Sequence, residues 1–138
     1  MKFRKPSKKN VLYQIWRNIS DSNNGLKIMF TESSTIRQLA PIELIAGIVI
    51  GLLFRFIAVE YIVMVFFLVW LFIIETLNTA IEEVNDLVTL EENEHVKRSK
   101  DLASAAVWIC HIAYIVVMLC FIVCHVMGFP WWQAIIPG

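Results

Sequence analysis

Glu75, Asn78, Glu82 and Asp86 follow an unbroken apolar run from Tyr61 to Ile74. Their spacings of three, four and four put all four side chains on one face of a helix, stacked over about three turns. An ionisable group near a bilayer centre costs about 2.5–3.5 kcal/mol, so it is tolerated where it faces protein, water or ions. Carboxylates in a row with an amide among them are a ligand set for a hard cation such as Mg²⁺. The chemistry they suggest is a metal-dependent site at a membrane edge. The bland alternative is a polar face buried between subunits, and four polar groups in register favour the site.

Lys100 and Asp101 follow across a short loop. Taken alone, they are an interfacial lysine that snorkels beside an aspartate near a helix start. Opposite the acidic stripe they become a phosphate-binding cation with a carboxylate partner. The sequence holds no G-x-x-x-x-G-K-[ST] and no glycine-rich nucleotide loop. A phosphotransferase of this size and hydrophobicity would have to build its site from membrane helices. Glu91, Glu92 and Glu94 read as a solvated charge run. His111 reads as a polar helix-contact residue. Cys110, Cys120 and Cys124 read as small hydrophobes, in preference to a disulfide or to a metal cluster of Cys120 and Cys124 with His125.

The elements that must position these groups are membrane helices. The chain has 138 residues, 58% of them apolar, with a mean hydropathy of +0.65; soluble domains average about 45–50% apolar. This is a single all-α membrane domain. Three spans are expected at residues 39–59, 61–86 and 98–127, each close to the roughly 20 residues that cross a bilayer. Glu60 should mark a very short turn between the first two. Gly47 and Gly51 form a G-x-x-x-G, a weak signal of close helix packing.

Leu12, Ile15, Trp16 and Ile19, then Leu26, Met29 and Phe30, recur at helical spacing. They predict an amphipathic surface helix over residues 11–36, broken at Ser20–Gly25, after a basic tail at 1–10. The formal net charge is zero, which gives no bulk attraction to nucleic acid, yet eight of the twelve Lys and Arg precede Ala40. That bias predicts a cytoplasmic N-terminus and a cytoplasmic loop carrying Lys97, Arg98 and Lys100. Trp131 and Trp132 would then sit in the outer interfacial belt. No apolar stretch of signal-peptide type follows the early basic cluster. The acidic stripe and Lys100–Asp101 converge on the side where nucleotides are available.

The string Glu75-Thr-Leu-Asn78-Thr-Ala-Ile-Glu82, with Asp86 one turn on, resembles the signature of the small prokaryotic integral-membrane diacylglycerol kinases. Lys100-Asp101-Leu-Ala-Ser104-Ala-Ala-Val, Gly25-Leu26-Lys27 and Arg37-Gln38 carry the same resemblance, which covers Trp16 to Val126. The family includes undecaprenol kinases of the same architecture. The likeness implies a three-span helical-bundle homotrimer in the bacterial inner membrane, with sites shared between subunits at the cytoplasmic interface. It implies transfer of the γ-phosphate of MgATP to the primary hydroxyl of diacylglycerol, with ATP as co-substrate and Mg²⁺ as cofactor.

By that likeness Glu75 is the general base and Asn78 positions the reaction centre. Glu82 binds Mg²⁺, with Glu32 as second carboxylate. Lys100 and Asp101 act on the nucleotide with Asp86, Arg17 and Lys27. Ser104 and Arg37 contact the lipid. The desolvating apolar run before Glu75 suits a base. The chain departs from the pattern where the family carries glutamates on either side of its Arg-Gln pair: these positions are Ser33 and Leu39. An undecaprenol kinase remains an alternative reading, and so does a small transporter using intramembrane carboxylates. Against the transporter, the acids gather at one membrane edge and not at the midplane.

Overall fold

The computed structural model describes residues 11–89, 91–129 and 131, so the basic tail at 1–10 and Trp132 lie outside the described residues. Among the described residues the α-helices are four: α1 (Val11–Glu32), α2 (Ser34–Phe54), α3 (Ala58–Val88) and α4 (Glu94–Val126). The last three are each long and apolar enough to cross a membrane. The chain is therefore an all-helical, multi-pass membrane protein.

The framework is an antiparallel hairpin of α3 and α4, which share the most extensive contact in the molecule. Its cause is a pair of matched seams. Met64, Leu68, Leu71, Glu75 and Asn78 are buried along α3, spaced alternately by four and three. Ala103, Val107, Cys110, Tyr114 and Met118 answer them along α4. Alternating steps of three and four keep one stripe facing a partner helix, as in a coiled coil. Glu75 and Asn78 of the polar stripe thus lie on the α3 packing seam, whereas Glu82 and Asp86 are exposed beyond it.

α2 lies against both helices. Gly47 faces Met64 and Tyr114. A Cβ at Gly51 would fall 2.6 Å from the Tyr61 hydroxyl oxygen and 2.8 Å from its ring carbons. The G-x-x-x-G thus permits close packing within one chain. α2 ends at Arg55, which adopts a left-handed conformation (φ 58°, ψ 49°) while its N–H bonds Gly51 O. Residues 55–57 make the turn. Glu60 lies beyond it, in the first turn of α3, and accepts a 2.8 Å bond from Ile57 N. It is fully buried, 3.0 Å from His125 Nε2, and accepts from Trp131 Nε1 at 3.0 Å.

Two boundaries differ from expectation. α1 runs unbroken through Ser20–Gly25. Weak helix formers there carry only a modest propensity cost; an Arg17–Asp21 pair at 3.5 Å bridges into the segment, and fully buried Met29 anchors the far end. The break falls instead at Ser33, whose Oγ accepts from Ile36 N at 3.1 Å and caps α2. Residues 34–36 thus open α2. Likewise α4 starts at Glu94, because Asn93 Oδ1 accepts from His95 N at 2.9 Å and Val96 N at 3.3 Å.

Candidate active site

Glu75 is the buried carboxylate of the stripe, 4% exposed. Its Oε1 accepts a 2.6 Å hydrogen bond from Ser33 Oγ, the cap residue of α2. Its own turn is held by Thr79 Oγ1, which donates to Glu75 O at 3.0 Å. Among the described residues Oε2 has no hydrogen-bond partner. Three turns of sequence logic meet here: the α1–α2 break delivers Ser33, the α3 seam delivers Glu75, and packing of α4 closes the third side.

Glu75 lines a cavity of about 300 Å³ between α2, α3 and α4, with Asn78, Ser104, Glu43 and His111. Asn78 donates through Nδ2 to Glu82 Oε1 at 3.3 Å, which leaves Oδ1 facing no partner. His111 Nδ1 lies 2.6 Å from Glu43 Oε1, and its Nε2 is likewise unpartnered. A buried polar atom without a partner costs about 1–3 kcal/mol. Three in one cavity mark a place built for something polar. Leu39, Trp108 and Ile115, all exposed, line the same cavity and give it an apolar wall.

A second cavity, about 700 Å³, lies at the loop between α3 and α4. Lys100 Nζ bonds Asp86 Oδ1 at 2.6 Å across the hairpin, and both line it with Asp101. One residue away, Asn85 Nδ2 donates to Ser99 Oγ at 3.2 Å. These two cross-links tie the helix ends together just before the loop. Lys100, Asp86 and Asp101 are at least partly exposed, so the cation can exchange Asp86 for a phosphate.

The sequence-derived candidates therefore separate into two groups. Glu75, Asn78 and Ser104 meet in the inner cavity; Asp86, Lys100 and Asp101 meet in the outer one. Exposed Glu82 bridges them along α3. Arg17, Lys27, Glu32 and Arg37 are exposed and line neither cavity; Arg37 bonds Thr31 O. Among the described residues no three His, Cys, Asp or Glu side chains are grouped to hold a metal. The chain offers Mg²⁺ one exposed carboxylate at Glu82; the neighbouring Asn78 amide turns its Nδ2, and not its oxygen, to that carboxylate. One carboxylate suffices for an ion which takes one or two carboxylates and completes its shell with phosphates and water.

The model of the family described as prokaryotic diacylglycerol kinase matches residues 20–122. The chain belongs to that family. No curated protein matches it. Membership in the prokaryotic diacylglycerol kinase family supports a lipid kinase, and the matched stretch contains every residue that lines the two cavities. Four participants were not singled out as site residues. Ser33, which bonds Glu75, stood out only as the position where the family pattern has a glutamate. Asn85 is buried on the α3 seam, three residues after Glu82, and that spacing was its only signal. Glu43 and His111 are 68 residues apart; each is a lone polar group in an apolar span, and nothing local announces that they meet.

Proposed function

We propose that this protein is an ATP-dependent lipid kinase that transfers the γ-phosphate of MgATP to the primary hydroxyl of diacylglycerol, giving phosphatidic acid. The observation that carries the reading is the unpartnered Oε2 of Glu75, buried in a cavity with one apolar wall. A lipid hydroxyl entering along that wall would donate to Oε2. Glu75 then takes the proton as the hydroxyl oxygen forms its bond to the γ-phosphorus and the bond to the β-phosphate bridging oxygen breaks, releasing ADP. Phosphoryl transfer asks mainly for alignment and neutralised charge.

Lys100, held by Asp86 in the resting site, would bind the nucleotide phosphates. Glu75 and Asp86 are eleven residues apart on one helix, about 16 Å along its axis. The nucleotide would therefore lie along the stripe, with its γ-phosphate towards Asn78. Glu82 would hold Mg²⁺, which when bound neutralises phosphate charge. The exposed Leu12, Ile15, Trp16 and Ile19 of α1 suit a helix lying on the membrane. We place the site at the cytoplasmic face of the bacterial inner membrane and the protein in a homotrimer, whose neighbouring subunits would cover the exposed side of the stripe.

The test is transfer of labelled γ-phosphate from MgATP by purified protein in detergent–lipid micelles. Diacylglycerol and undecaprenol are offered separately, with and without Mg²⁺. Mg²⁺-dependent product from diacylglycerol, well above that from undecaprenol, is expected. The reverse preference would keep the mechanism and change the substrate. No product from either lipid would sink the reading.

A further inference from the structure

Glu43 and His111 are not needed by the proton transfer assigned to Glu75, yet they meet in the same cavity. His111 is 8% exposed and its Nε2 has no partner. Among the described residues Glu43 has no other ion-pair partner. A buried pair of this kind avoids net charge in apolar surroundings. Two of its electroneutral forms put a hydrogen on Nε2. In one, carboxylate faces imidazolium, and Nε2 carries a hydrogen. In the other, a protonated carboxyl donates to Nδ1 of a neutral ring, whose remaining hydrogen is then also on Nε2. In both, Nε2–H is a hydrogen-bond donor with no acceptor among the described residues; a ring that donates from Nδ1 to Glu43 would instead leave Nε2 an acceptor.

With Nε2 protonated, the residues that line the cavity hold one unpartnered donor, His111 Nε2–H, and two unpartnered acceptors, Glu75 Oε2 and Asn78 Oδ1, all three buried. The hairpin register sets their spacing. Asn85 pairs with Ser99 and Asp86 with Lys100, so continuing antiparallel along α3 and α4 brings His111 within about one turn, roughly 5 Å, of the level of Glu75. Tyr114 Oη donates to Glu43 O at 2.8 Å and fixes the far side of the pair, beyond His111 from the loop. The pair therefore lies on the side of Glu75 that faces into the apolar bundle. A lipid whose hydroxyl reaches Glu75 would set its next polar group there.

We propose that His111, oriented by Glu43, binds the ester carbonyl next to the reacting hydroxyl, and so selects a glycerol ester over a polyprenol. This rests on the lipid-kinase reading above and names the substrate class of that site. A polyprenol has no polar atom beyond its hydroxyl, and would leave Nε2–H unsatisfied. A diacylglycerol supplies a carbonyl acceptor one glycerol carbon away. Its acyl chains would leave past Trp108 and Ile115, both exposed at the cavity wall.

The experiment compares 1,2-diacylglycerol with its 1,2-dialkyl ether analogue, which keeps the hydroxyl and lacks both carbonyls, using full-length protein in mixed micelles. Wild type should favour the ester by about tenfold in kcat/KM, with most of the difference in KM for the lipid. In His111→Phe that ratio should fall to about one; in His111→Gln, which keeps an N–H donor, part of it should return. A wild-type ratio near one overturns the inference with no variant needed, and leaves the kinase reading standing. A tenfold ratio that persists in folded His111→Phe overturns it too. Failure of wild type to phosphorylate any lipid would remove the kinase reading, and this inference with it.

Discussion

Ser33 Oγ lies 2.6 Å from Glu75 Oε1, joining the cap of α2 to the buried carboxylate of α3. The same oxygen accepts from Ile36 N at 3.1 Å, so one hydroxyl starts a helix and orients the carboxylate proposed as the base. Its proton goes to Glu75, which fixes Oε1 and leaves Oε2 buried without a partner among the described residues. Ser33 stands where the diacylglycerol kinase likeness calls for a glutamate. A second carboxylate there would repel Glu75 unless a cation or proton intervened; the hydroxyl supports it instead.

Ser33→Ala should therefore do two things at once. Loss of the cap should lower stability by about 1 kcal/mol. Loss of the bond to a buried carboxylate should lower kcat by about tenfold, in line with a charge-assisted bond of about 1.5–3 kcal/mol. Ser33→Thr, which keeps the hydroxyl, should recover most of both. Thermal unfolding and phosphate transfer on the same preparations check this; unchanged kcat in Ser33→Ala would remove Ser33 from the site.

Glu75→Gln removes the base and keeps the shape. General-base catalysis contributes about 10²–10⁴-fold, so kcat should fall at least a hundredfold while the melting temperature holds or rises. Labelled phosphate transfer at saturating MgATP reads it. Near-normal turnover would move the base elsewhere.

Lys100→Met should raise KM for MgATP far more than it changes kcat, because the lysine serves phosphates and not the proton. The Lys100–Asp86 pair is exposed, and exposed pairs contribute little to stability, so the melting temperature should hardly move. If sites are shared between chains of a trimer, mixing Glu75→Ala with Lys100→Ala subunits should restore part of the activity. No rescue in confirmed mixed trimers would put each site within one protomer.

Gly51→Val tests the α2 contact. The rigid ring of Tyr61 occupies the space a side chain would need. Overpacking of this kind costs about 1–3 kcal/mol, so unfolding in mixed micelles should come at lower denaturant. An equivalent midpoint would show that α2 does not depend on close approach there.

Helix identity and the site's first members were legible because their signals are local. Unbroken apolar runs announced three spanning helices, and the three-four-four spacing of Glu75, Asn78, Glu82 and Asp86 put them on one face without any tertiary information. Capping oxygens moved the boundaries: Ser33 opens α2 earlier than apolarity suggested, and Asn93 does the same for α4. The expected break at Ser20–Gly25 failed because propensity is a weak prior beside an anchored end such as Met29.

What the sequence by itself determined is the chemistry available: which residues are ionisable, on which helix face, and at which end of a span. Only the tertiary structure decided their partners. Glu75 finds Ser33 from 42 residues away, and Glu43 finds His111 from 68. The reason is physical. A helix sets which way its own side chains point through its period, whereas the group that meets them depends on how three helices pack, and close packing is a property of the whole bundle.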